Sequence, residues 1–326
     1  MRQSALSSSA SRRWIGLAVG LSITVFALYM LARTVDWRSA LQYIRQVRAP
    51  WLLAAMAALF INNFAKASRW RQLFPVHQAL PPRWDAFGSL MAGQLLNFTL
   101  PFRSGDISRA YFMGRYRGAS SASAAGTIGA EKVLDLVIMG GLFTLVLPYF
   151  ILPAWLEANK DSVWLVSLIA LFIWIGVIIG LPRSQNLLDK TAQHWPAIAW
   201  PARVLTRLLD GFSSLRHRQR LLPVLLWTII IWAGSISATY ALLASLSLPA
   251  SLPLAILANV IVQGGLSVPV APAGIGIFEW LAILALSIAG IPSDQGLAYG
   301  LVAHAAVLFF PVILGIPWLL TRFRTR

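Results

Sequence analysis

The chain has 326 residues, of which 58% are hydrophobic and only 12% charged. That charged share is about half that of a soluble domain, and several windows reach the roughly 20 apolar residues that a bilayer crossing needs. The composition reads as an all-α polytopic membrane protein. Cysteine is absent, which excludes disulfides, thiolate catalysis and thiolate metal sites. The net charge of +16 lies in short segments between apolar runs. Loops facing an anionic cytoplasmic leaflet look this way, and no soluble stretch is left in which a nucleic-acid module could fold.

In chain order, 1–13 reads as a disordered cytosolic tail. The apolar run 14–32 is longer than a signal-peptide core and is followed by no small-residue cleavage site, so it reads as a retained first span. Further full spans fall at 50–66, 123–151, 162–182, 221–247 and 296–320, making six, with a basic tail at 321–326. Between the first two lies "RTVDWRSALQYIRQVR", whose Trp37, Leu41 and Ile44 recur at helical spacing; it reads as an interfacial amphipathic helix. The 183–220 segment is cytosolic. Within it Val204, Leu205, Leu208, Leu209, Phe212 and Leu215 form one apolar face, with Arg203 and Arg207 off it, again the pattern of an interfacial helix.

Two apolar stretches do not fit a simple crossing. One begins near residue 86 and runs into "NFTLPFRSGDISR" (97–109). The other, 252–290, is interrupted by "SVPVAPAGIGIFE". Each is long enough for two half-helices around a Pro/Gly break, and such backbone survives at membrane depth only inside protein or beside a wet cavity. The basic tail, the 66–83 loop and the 183–220 segment place both termini in the cytosol. The first broken hairpin then enters from the cytosolic side and the second from outside, as an inverted repeat would produce. The four arginines of 33–48 fall on the outer side and run against that rule.

The chemistry is concentrated at these breaks. Pro101 removes a backbone donor and Gly105 permits a tight turn. Arg103 and Arg109 offer forked, permanently charged donors suited to phosphate, and Asp106 can orient one of them. A phosphate-headgroup site and a cytosolic turn with an internal ion pair both fit. Downstream, Gly118, Ala122, Gly126 and Ala130 make a small-xxx-small stripe. In the same helix Glu131 and Asp135 share a face, with Lys132 in reach of Asp135. Ionisable groups inside a span face the bundle interior or a water-filled cavity; a transport site and a structural clamp to Arg103 or Arg109 both fit. Pro269, Pro272, Gly274 and Gly276 precede Glu279, which can serve the helix dipole or bind a cation, a proton or an amine. His304 reads as a satisfied interior histidine. No catalytic signature is present: no Gly-x-Ser-x-Gly, no His-Glu-x-x-His, no phosphate loop. His77, His194, His217 and His304 lack metal spacing. No enzyme activity, metal or cofactor is expected.

Four motifs in order, "SRWRQLF" (68–74), "GQLLNFTLPFRSGDISRAYFM" (93–113), "EKVLD" (131–135) and "VPVAPAGIGIFEWLAILAL" (268–286), resemble the transmembrane region of the lysylphosphatidylglycerol synthase, or flippase-like integral membrane, family. The resemblance runs over roughly 14–320 and implies a single lipid-translocating domain with re-entrant helices. Known members move aminoacylated phosphatidylglycerol between leaflets, and relatives are linked to other lipids or lipid-linked intermediates. By resemblance, Arg103, Asp106, Arg109, Glu131, Asp135 and Glu279 line the path, with Lys132 beside them. Asp106 stands where glutamate is more usual, and His304 where arginine is. The soluble aminoacyl-transferase domain of full-length synthases is not expected to follow the last span. The reading is a flippase of the bacterial cytoplasmic membrane acting on an anionic or aminoacylated phospholipid or a lipid-linked intermediate. Its alternatives are a secondary transporter of a small anion or amine, and a non-transporting partner of a separate lipid-modifying enzyme.

Overall fold

The computed structural model describes residues 36–75, 79–100, 104–117, 121–150, 217–267 and 274–324, with Tyr29, Leu165, Ile169 and Phe172 individually. The expected span 14–32 apart from Tyr29, the span 162–182 apart from three residues, the 203–216 helix, Gly118, Pro101, Arg103, Pro269 and Pro272 lie outside the described residues. So does the side chain of Ala122.

The described residues are helical: α1 (Trp37–Arg45), α2 (Ala49–Gln72), α3 (Arg83–Thr99), α4 (Ser104–Arg117), α5 (Ser121–Val146), α6 (Arg218–Ser245), α7 (Leu252–Gly265), α8 (Ile277–Ser287) and α9 (Ser293–Arg324). Local chemistry sets their starts. Asp36 caps α1 by accepting the Arg38 amide, and Ser251 caps α7 by accepting that of Leu254. Proline sits in the first turn of α2 and α7, where its missing N–H costs nothing. Three helices, Ala49–Gln72, Arg218–Ser245 and Ser293–Thr321, are long and apolar enough to cross a bilayer. Helix α5 has 26 residues, also enough for length, but carries Glu131, Lys132 and Asp135. Pro223, Pro311 and Pro317 lie inside α6 and α9, as neighbouring helices in a membrane bundle permit.

Helices α2 and α6 run antiparallel. The Arg48 amide donates to the Ser245 carbonyl at one end, and Arg220 bonds the Gln72 side chain at the other. Helix α9 runs parallel to α2: Gln295 meets Tyr43 of α1 at the first end, and Trp318 lies against Gly88 and Phe112 near the second. The two expected broken segments are pairs of short helices. At 1.5 Å per residue, α3, α4, α7 and α8 are about 25, 21, 21 and 17 Å long, each short of the ~30 Å hydrocarbon core. Helix α3 starts at the end holding Arg71, whose Nε donates to the Pro81 carbonyl, and runs inward past Met91 and Gly315 to Phe98 beside His304. Helix α7 starts at the opposite end, directly after α6, and α8 returns to that end along α9. The two hairpins therefore enter the bundle from opposite ends, and the second ends in a turn where Gly290 has φ 74°.

One structural role differs from expectation. Gly105 is not a turn residue but lies in the first turn of α4, and a Cβ there would stand 1.7 Å from the Gly93 carbonyl oxygen. Its absent side chain lets α3 and α4 touch backbone to backbone. The break before α8 does use positive φ, at Gly274 (66°) and Gly276 (82°). Helix α1 packs Ala40, Tyr43 and Ile44 on the bundle and leaves Trp37 and Leu41 exposed, as an interfacial helix would. Outward-facing Leu53, Ile61, Leu222, Leu226, Ile229, Ile313 and Leu320 form the apolar coat of the three spans.

Candidate functional site

A cluster of ionised side chains joins α2, α4 and α5. The Arg69 guanidinium is fully buried and grips Asp135 with two bonds, Nη1 to Oδ1 at 2.7 Å and Nη2 to Oδ2 at 2.8 Å. Its Nη2 also lies 3.8 Å from Glu131 Oε1. Glu131 accepts from Arg109 Nη2 at 3.0 Å, and Arg109 Nη1 lies 3.5 Å from Asp106, one helical turn earlier. Lys132 pairs with Asp106 at 3.4 Å rather than with Asp135 as expected, because α4 packs beside α5 and brings Asp106 across. The basic partner of Asp135 is Arg69 of α2, while Arg109 pairs with Glu131.

The frame around these charges is apolar and close-packed. Trp70, Phe74, Ala86, Ala110, Met113, Ala124 and Ile128 form one buried cluster, and Ala130 packs with Leu73, Leu134 and Val224. Thus Gly126 and Ala130 of the small-residue stripe are buried and let α5 approach its neighbours. The Arg109 guanidinium lies 4.3 Å above the Trp70 ring centroid, a cation–π contact strengthened by desolvation. The indole N–H is fixed by Thr127 Oγ1 at 2.9 Å. Gly93 leaves room for the Arg109 stem, and Asn97 Oδ1 accepts from the Gly105 amide at 2.8 Å.

Among the described residues, three cations (Arg69, Arg109, Lys132) pair with three carboxylates (Asp106, Glu131, Asp135). Lys66 lies half-buried one turn before Arg69. The Nε atoms of Arg69 and Arg109 are both buried and have no hydrogen-bond partner among the described residues. Among the described residues the cluster thus holds unspent guanidinium donors. At its edge the Lys132 side chain is 45% exposed, and the apolar side chains exposed beside it on α4 and α5 are Ile107, Tyr111 and Leu136.

Glu279 stands apart from this cluster, on α8. Its Oε2 accepts the Gly276 amide at 2.8 Å, and its Oε1 lies 2.7 Å from His304 Nδ1 on α9. Both residues are buried. Phe278 stacks on the imidazole at 4.5 Å, and Phe98, at the end of α3, approaches it at 6.5 Å. The ends of both hairpins therefore converge on His304, which is the satisfied interior histidine expected, with Glu279 as its partner.

Lys66, Arg69 and Trp70 were absent from the expected site. Placing the end of the second span at residue 66 put them in a loop, whereas α2 continues to Gln72. The available signal was Lys66 and Arg69 at i, i+3 on a continuing helix. Also unforeseen is an uncharged network between helices. Asn62 donates to the Ile231 carbonyl at 2.6 Å, Gln94 bonds Asn63, and Asn259 bridges to Ser235 and Thr239.

Comparison with known proteins matches residues 13–315 to the lysylphosphatidylglycerol synthase TM region. A UPF0104 membrane protein of Methanothermobacter thermautotrophicus is 23% identical over 292 residues, 84% of this chain and 86% of that protein. The glycosyltransferase AglD of Haloferax volcanii is 26% identical over 136 residues, 41% of this chain and only 22% of AglD. No solved structure matches the chain.

Proposed function

We propose that this chain, which belongs to the lysylphosphatidylglycerol synthase transmembrane-region family, moves an anionic lipid headgroup between membrane leaflets. The observation that carries the reading is the two buried guanidinium nitrogens of Arg69 and Arg109 that have no hydrogen-bond partner among the described residues, in the cluster of α2, α4 and α5. A phosphodiester bears one negative charge, and forked guanidinium donors suit its oxygens. The carboxylates hold the arginines in place while the site is empty and yield contacts to phosphate when it is filled.

Lipid is favoured over a water-soluble anion by the flank of the cluster. Exposed Ile107, Tyr111 and Leu136 lie on the same two helices as Asp106 and Lys132, so a headgroup enters sideways while its acyl chains stay against apolar side chains. The cluster lies toward the end of the bundle where Arg71, Arg83, Arg218 and Arg220 gather, and the basic segments 66–83 and 183–220 assign that end to the cytosol. Arg38, Arg45 and Arg48 at the other end are the exception to that rule. The two hairpins, entering from opposite ends, supply the moving parts by rocking about the bundle. The protein performs no covalent chemistry in this reading, and its home is the cytoplasmic membrane with both termini in the cytosol.

The test is reconstitution into liposomes carrying fluorescent phosphatidylglycerol or other labelled phospholipids, with dithionite quenching to count molecules in each leaflet. Movement of at least one phosphodiester lipid is expected. If a broad lipid panel stays in place, the flippase reading is wrong. A second reading, partnership with a lipid-modifying enzyme, draws on the match to part of a protein named as a glycosyltransferase. Co-purification with such an enzyme, together with silent substitutions throughout the cluster, would favour it.

A further inference from the structure

Glu279 and His304 take no part in the phosphate site, yet they form a buried carboxylate–imidazole contact of 2.7 Å where both broken hairpins meet. Ionisable groups buried in a membrane bundle are costly to keep. A purely structural cap for α8 would need only Glu279, whose Oε2 already takes the Gly276 amide. The added imidazole is the side chain type that exchanges protons near neutral pH.

We propose that Glu279 and His304 form a proton-carrying pair that couples headgroup movement to a proton gradient. This rests on the lipid-translocation reading. One proton from one side of the membrane binds the pair and later leaves to the other side; no bond is made or broken elsewhere and nothing else is consumed. Gain or loss of that proton changes the charge between α8 and α9. It thereby changes the hold of Glu279 on Gly276, where Gly274 and Gly276 have positive φ and the backbone turns into α8. The proton is thus bound at the joint of a hairpin, the element that must move.

Among the described residues, the other ionisable groups on the elements packed round this pair lie toward the ends of those elements or hold other partners. Helix α7 carries no ionisable residue, and Glu279 is the only one on α8. On α9 the nearest is Tyr299, about 8 Å back along the helix and bonded to Thr239 of α6; Asp294 lies a further turn and more away. Helix α3 has Arg83 and Asp85, both in the first turn at its far end. Lys66 and Arg69 of α2 face Asp135 and Glu131 instead, and Arg71 bonds Pro81. On α6, Arg218 and Arg220 sit at the far end and Tyr240 packs against Trp51. On α1, Tyr43 bonds Gln295, and Arg38 and Arg45 are exposed.

The experiment uses full-length protein in phosphatidylcholine liposomes containing fluorescent phosphatidylglycerol, with and without an imposed pH gradient. For one proton per lipid, a gradient of about one unit supports up to a roughly tenfold difference in labelled lipid between leaflets, since one unit is worth about 1.36 kcal/mol. Wild-type protein is expected to build such an asymmetry, while Glu279→Gln and His304→Gln move lipid indifferently to the gradient. If wild-type protein moves lipid at the same rate and to the same even distribution with or without the gradient, the proton proposal fails and the flippase reading stands. If both variants respond as wild type does, the coupling groups are elsewhere and the proposal fails. If no lipid moves under any gradient, both readings fall. The wild-type arm decides even if a variant does not fold.

Discussion

Replacing Asp135 by leucine is expected to destabilise the protein more than replacing its partner, Arg69, by methionine. The asymmetry follows from burial. The Arg69 side chain is 0% exposed and that of Asp135 is 32% exposed. Without Asp135, the guanidinium keeps only Glu131 at 3.8 Å and the Thr228 hydroxyl at 3.4 Å. Removing one partner of a buried pair in this way costs about 3–5 kcal/mol. Without Arg69, water can reach the carboxylate, and Lys66 neutralises part of its charge, so the loss is nearer that of one charged hydrogen bond, about 1.5–3 kcal/mol. The double variant Arg69→Met/Asp135→Leu removes both charges and is expected within about 1 kcal/mol of wild type, because apolar replacement of buried ion pairs is often neutral or better. Equilibrium unfolding in mixed detergent micelles, followed by tryptophan fluorescence with Trp70 beside the site, measures all three. Equal single variants would refute the burial argument. A double variant as unstable as the sum of the singles would refute the pair itself. The same double variant, folded but lacking one of two guanidinium groups, is expected to lose lipid movement. Full movement would reduce Arg69 to a clamp.

Three further outcomes follow from the geometry. Gly105→Ala drives a Cβ against the Gly93 backbone and is expected to cost about 1–3 kcal/mol by forcing α3 and α4 apart. Gly141→Ala meets nothing within 4 Å and is expected to gain up to about 1 kcal/mol from helix propensity; identical unfolding midpoints would contradict this. At α1, the Ser39 hydroxyl and the Arg38 amide hold the Asp36 carboxyl below its ordinary range. A depressed carboxyl stabilises the fold above the unfolded value of about 3.9 and loses that contribution as pH falls through the folded value. The protection of amides 37–45 against hydrogen exchange, relative to the unfolded chain at the same pH, is therefore expected to fall on acidification below that range in the wild type, and to show no such step in Asp36→Ala.

The site was partly legible along the chain. Arg109, Asp106, Glu131 and Lys132 do meet, since each is marked as an ion placed among apolar neighbours. Reading the end of the second span from its first lysine hid Arg69 and Trp70. That boundary assumes charge belongs in water, whereas here the Arg69 charge is cancelled by carboxylates on α5. The i, i+3 spacing that puts Lys132 in reach of Asp135 describes one helix, and a neighbouring helix offers Asp106 at 3.4 Å.

The sequence by itself determined the membrane class, the family and the two broken hairpins. Those depend on run length, missing charge and Pro/Gly interruptions, which act within a few residues of chain. Only the tertiary structure decided which ions pair. Arg69 meets Asp135 across 66 residues and Glu279 meets His304 across 25, and no local pattern encodes which helices become neighbours. Gly105 shows the same divide. Its missing side chain is visible in the sequence, but the backbone that occupies the space belongs to Gly93 on another helix.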